Sequence, residues 1–112
     1  MFPKPSKVRS TKLTESAKGQ ACTLRIPGIC CFDPEKTVLA HLPGHAKGMG
    51  TKEDDTHAVY ACTPCHDYID GRVKDGRWNE ARWVAFIWET MLRALSETHH
   101  RMIEAGLLVV RR

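Results

Sequence analysis

The chain has 112 residues, 42% of them hydrophobic and 27% charged, with a formal net charge of +4. That length holds one domain with a modest core, and the composition excludes a wholly disordered chain. Its polar, proline-broken start is unlike a secretory leader, and its longest apolar stretch, Trp83 to Trp88, is too short to span a bilayer. The expected setting is a reducing cytoplasm with no membrane partner, where cysteines read as metal ligands before disulfides. Mild basicity permits contact with nucleic acid without requiring it.

Residues 1–13 read as a flexible basic arm carrying Lys4, Lys7 and Arg9. A short helix is expected from Thr14 to Lys18, stopped by Gly19. Cys22 to Ile26 reads as a strand, and Pro27 with Gly28 as a turn that returns Cys30 toward Cys22. Thr37 to His41 reads as a second strand with His41 at its end. Pro43 to Lys52, with Gly44, Gly48, Gly50, Lys47 and Lys52, has the composition of a loop close to a ligand or phosphate. Asp54, Asp55 and the run from His57 to Ala61 then lead into the second pair of cysteines.

A helix is expected from Thr63 and Pro64, Thr as cap and Pro at the first position, to Gly71. A long helix follows from Asn79 to about Glu104, with Val84, Ile87, Trp88, Met91, Leu92 and Leu95 on one apolar face. That face is broad enough to cover a small sheet and also to pair two copies as a homodimer. Trp88 is expected in the core, and His99 and His100 on the solvated side. Gly106 ends the helix, and Leu107 to Val110 reads as a short final strand.

Two cysteine pairs carry the chemistry: Cys22 with Cys30, seven residues between them, and Cys62 with Cys65, two between them. Four thiolates close a tetrahedral zinc site and leave no open position. The fifth cysteine makes the first pair ambiguous, because spacing does not choose between Cys30 and Cys31. His66 is then surplus to the zinc. On a helix it shares a face with Asp70, four residues on, and the two together suit a divalent cation. An imidazole at His41 is matched to taking a proton from water near neutral pH. The combination points to metal-assisted hydrolysis, with the basic arm and the Gly/Lys loop supplying phosphate contacts.

A strand-end His, a glycine-bearing loop and Cys-x2-Cys-His opening a helix resemble the HNH, or His-Me finger, nucleases. More closely, residues 14–72 resemble the small prophage nucleases typified by YbcO. The matching pieces are Ala17 to Gly19, Cys22, Arg25 to Cys30, Val38 to His41, Gly48 to Lys52, Asp55, and Ala61 to Asp70.

The resemblance implies an α+β fold: a zinc-stapled ββα core over residues 14–76, with the long helix and terminal strand of residues 77–112 packed on it. It implies His41 as the catalytic base and Cys22, Cys30, Cys62 and Cys65 as the structural zinc ligands, leaving Cys31 outside. His66 would hold a catalytic Mg²⁺ or similar ion, with Asp55, Asp70 or Asp67 as further ligands. Lys47, Lys52 and Arg72 are the candidates for contact with DNA, in a bacterial host cell. One departure is Ala40, where many HNH nucleases place an acidic or histidine ligand. The expected function is a metal-dependent DNA endonuclease; the alternative is a zinc-finger-like binding module for nucleic acid or protein, without catalysis.

Overall fold

The computed structural model describes residues 8–43 and 54–111. Lys47 and Lys52, with most of the Gly/Lys loop, lie outside them. Helix α1 is Thr11–Ser16, strand β1 Thr37–His41, strand β2 Ala58–Cys62, helix α2 Thr63–Ile69 and helix α3 Ala81–Glu104, with 3-10 turns at Pro34–Lys36 and Gly76–Asn79.

The strands are antiparallel, with Thr37 opposite Cys62 and His41 opposite Ala58. Alternate side chains leave opposite faces of a strand, and the core divides accordingly. Ala40, Val59 and Ala61 face a cluster with Leu24, Ile26 and Ile87, and Leu39, Ala58 and Tyr60 face a smaller one with Leu13 and Met102. β2 is therefore buried along its whole length.

Helix α1 begins three residues before the expected Thr14, because Ser10 is its cap and accepts from Leu13 N at 3.3 Å. The chain just before it is tied to the turn preceding β2, with Asp55 N donating to Val8 O at 2.7 Å. The fold thus starts inside the stretch read as a flexible arm. Helix α2 begins one residue earlier in its capping frame than expected: Cys62, not Thr63, is the cap, and it makes no side-chain cap bond. Gly71, at φ 82°, ends the helix as expected.

Two expected strands are absent among the described residues. The segment from Cys22 to Ile26 runs beside β2, but Arg25 has φ 47°, which breaks an extended ladder. Thr23 alone bonds β2 in backbone fashion, its N–H meeting Tyr60 O at 2.7 Å. Guanidinium groups meet two of the segment's carbonyls and the one before it, Arg25 on Cys22 O, Arg93 on Leu24 O and Arg101 on Ala21 O. The final strand is replaced by a reversal after α3, where Leu107 N donates to Met102 O at 2.8 Å. Val109 and Val110 then point to solvent.

The buried stripe of α3 is Ile87, Thr90, Met91, Ala94, Thr98 and Met102. Trp88, expected in the core, is 50% exposed, and Leu92 68%. Trp83 instead packs inward, its Nε1–H donating to Tyr68 Oη at 2.9 Å while Tyr68 stacks on Trp78. His99, expected in solvent, is half-buried with Nε2 2.6 Å from Thr56 O. No described helix is long and apolar enough to cross a membrane.

Candidate metal centre and active site

The turn after Ile26 is built by two amides, Ile29 and Cys30, that both donate to Ile26 O. Gly28 sits at φ 76° within it, a conformation that favours glycine. Arg77 holds the turn from outside, bonding Pro27 O at 3.0 Å and Asp75 at 2.9 Å with its guanidinium 4.1 Å over the Trp83 ring. Sequence reasoning passed over Arg77, since the turn it holds at Pro27 lies 50 residues away in the chain.

This turn brings Cys30 to Cys22, and the start of α2 brings Cys62 and Cys65 to both. All four sulfur atoms lie within 4.8 Å of one another, and Cys31 is exposed outside the group. Cys30 Sγ and Cys62 Sγ are 3.8 Å apart. Thiolates about 2.3 Å from a tetrahedral zinc stand about 3.8 Å apart, whereas disulfide sulfurs stand about 2.0 Å apart. The quartet can therefore hold a metal ion such as zinc, with no help from His66.

The protonation of the thiols fits that use. A hydrogen bond from Cys65 is the largest influence on Cys22 and, against burial, draws its thiol down to about 4. That bond, together with burial, pushes Cys65 up. Burial first, then the nearby Cys22 charge, pushes Cys62 up to about 12 and raises Cys30. Without a cation the cluster holds one thiolate among three thiols; a soft dication lets all four ionise.

At the far end of β1, His41 Nε2 lies 2.9 Å from Asp55 Oδ1, with the His41 side chain 27% exposed and that of Asp55 5%. The other carboxylate oxygen accepts from Ser10 N at 2.6 Å. Burial opposes ionisation of Asp55, but the Ser10 N–H and the His41 ring outweigh it and hold the carboxyl below its ordinary value.

The expected ligands of a catalytic cation do not gather. Among the described residues, the group of three or more metal-ligating side chains with converging donor atoms is the cysteine quartet. Asp55, expected beside His66, meets His41 through Oδ1 and Ser10 N through Oδ2. Asp70 pairs with Arg72 at 3.2 Å, and Asp67 with the same guanidinium at 3.6 Å. Arg72, expected on DNA, thus has its charge countered by two carboxylates. His66 stays half-buried on α2 beside Cys65.

A family profile described as "Putative nuclease YbcO" matches residues 11–106. The chain belongs to the YbcO family. It is 50% identical over 62 residues to "Putative nuclease YbcO" of Escherichia coli (strain K12), a match covering 54% of this chain and 64% of that one. The same figures hold for "Putative nuclease ybcO" of Enterobacteria phage 82. The chain therefore spans somewhat less than two thirds of these relatives' length. A solved structure described as "Structure of a putative bacteriophage protein from Escherichia coli str. K-12 substr. MG1655" superposes with a TM-score of 0.64 at 32% identity. That match covers 83% of this chain and 98% of the other. The family is named for nuclease activity, and one relative is a phage protein.

Proposed function

We propose that the chain is a metal-dependent DNA endonuclease of HNH type, stapled by a structural zinc and acting in the cytoplasm of a phage-bearing bacterium. The observation that carries this reading is the His41–Asp55 pair, 2.9 Å apart at the open end of a two-strand-then-helix unit. His41 takes a proton from a water, whose oxygen attacks the phosphorus. The P–O bond to the leaving sugar oxygen breaks, and that oxygen is protonated from solvent. His66 would hold the divalent cation, which when bound stabilises negative charge on the phosphate. The four cysteines hold zinc away from the chemistry and keep α2 at a set distance from β1.

A second reading, a binding module without catalysis, is favoured by Ala40. It is 0% exposed within the core, so the position before His41 offers no ligand. Nicking of supercoiled plasmid by the zinc-loaded protein, with and without added Mg²⁺ or Mn²⁺, separates the two. The nuclease reading expects ion-dependent nicking that His41→Ala lowers by about 10²–10⁴-fold, the usual contribution of a general base. Equal rates in wild type and variant would leave the binding module standing.

A further inference from the structure

His41 and Asp55 are held by a third partner that arrives from the other end of the chain. Asp55 is 4% exposed and uses both oxygens, Oδ1 toward His41 Nε2 at 2.9 Å and Oδ2 toward Ser10 N at 2.6 Å. The contact is reinforced on both sides. Asp55 N donates to Val8 O at 2.7 Å, and Val8 N donates to Asp54 Oδ2 at 2.8 Å. Ser10 is itself fixed as the cap of α1, whose Leu13 and Ala17 are buried against Leu39 and Tyr60. A line of rigid contacts thus runs from the smaller core cluster through α1 and Ser10 to Asp55 and the His41 ring.

We propose that Asp55 is a positioning residue for His41, not a ligand of the catalytic ion, and that residues 8–10 are the strap that aims it. An ionised carboxylate only accepts hydrogen bonds, so Nε2 carries the ring proton and Asp55 selects the Nε2–H tautomer of the neutral ring. The strap fixes the orientation of the carboxylate, because the Ser10 amide on Oδ2 leaves Oδ1 toward the ring. The inference rests on the reading of His41 as the base, and deepens it.

Asp55→Asn provides the test. The Ser10 N–H demands an acceptor, so the new amide turns its oxygen to Ser10 and its NH₂ to His41. The ring then turns its Nε2 lone pair to that NH₂ and carries its proton on Nδ1, the opposite tautomer. In the zinc-loaded full chain, ¹⁵N–¹H correlation of the histidine rings, assigned with His41→Ala, is expected to show the Nε2–H tautomer in wild type and Nδ1–H in Asp55→Asn. Plasmid nicking is expected to fall with it by about 10²–10⁴-fold. An unchanged tautomer, or wild-type nicking by Asp55→Asn, overturns the proposal. Should Asp55→Asn unfold, the Ser10 amide in wild type reads the same contact. Slow hydrogen exchange and a downfield shift support the strap; a fast-exchanging amide at an ordinary shift overturns it. The ring measurement needs no cleavage, so the two failures are distinguishable: a wild type that does not nick while the tautomer still shifts overturns the nuclease reading and the catalytic use of the pair, whereas an unchanged tautomer overturns the positioning itself.

Discussion

Cys30 and Cys31 are neighbours with opposite surroundings, one among the four converging sulfurs and the other exposed. Spacing along the chain left them equivalent; the choice is made by the amide of Cys30 on Ile26 O and by Phe32, at φ 54°, which turns the chain away. Cys31→Ser is therefore expected to shift stability by less than about 0.5 kcal/mol, as for an exposed side chain. Cys30→Ser should lose zinc and cooperative melting together; metal analysis beside a thermal scan checks both. The thiols also make a pH prediction. At pH 7 Cys22 is ionised, because Cys65 holds it at about 4, whereas Cys30, Cys62 and Cys65 are raised and keep their protons. Zinc needs all four as thiolates, so protons compete with it and affinity falls as pH falls. Calorimetry should therefore show zinc affinity falling and proton release persisting as pH is lowered from about 8 to about 6, and a pH-independent affinity would count against thiolate ligation. Asp55 was marked as a site residue from the resemblance, but its role was not legible, because its partners lie 14 and 45 residues away.

At the scale of elements, periodicity placed α3 within two residues of its observed start, and β-branched residues placed β1 at its observed bounds. It misjudged which face of α3 is buried. The pattern counted large apolar side chains, whereas the buried stripe includes Ala94, Thr90 and Thr98, and Trp88 faces solvent. Thr98 is inside because β2 needs it there. Its hydroxyl accepts from Tyr60 N at 3.0 Å, on the edge where Thr23 takes the place of a third strand. Thr98→Val keeps the volume and removes the acceptor, leaving a buried N–H unpaired. A loss of about 1–3 kcal/mol is expected in urea unfolding, with an unchanged slope. The failed strand at residues 22–26 has the same lesson, since Leu24 O and the preceding Ala21 O are bonded by arginines of α3 from far along the chain.

At the scale of the whole molecule, a two-stranded sheet is marginal alone, and the two clusters on its faces are small. The larger cluster includes Cys22, Cys62 and Cys65, so the metal site and the core are one structure. Removing zinc with a chelator is expected to abolish the sigmoidal urea transition and the near-ultraviolet signal of the packed Trp78 and Trp83; adding zinc back restores both. Retention of a cooperative transition without zinc would count against a structural metal. By itself the sequence determined the Cys62 and Cys65 pair, β1 ending in His41, the end of α2 at Gly71 and the span of α3 to within two residues, because spacing, turn residues and periodicity act within a few residues. Spacing left Cys30 and Cys31 open, the resemblance favoured Cys30, and the tertiary structure brought Cys30 to the other three sulfurs, buried Thr98 in place of Trp88, and joined Ser10, Asp55 and His41. Those outcomes depend on groups far apart in the chain, whose meeting no local pattern encodes.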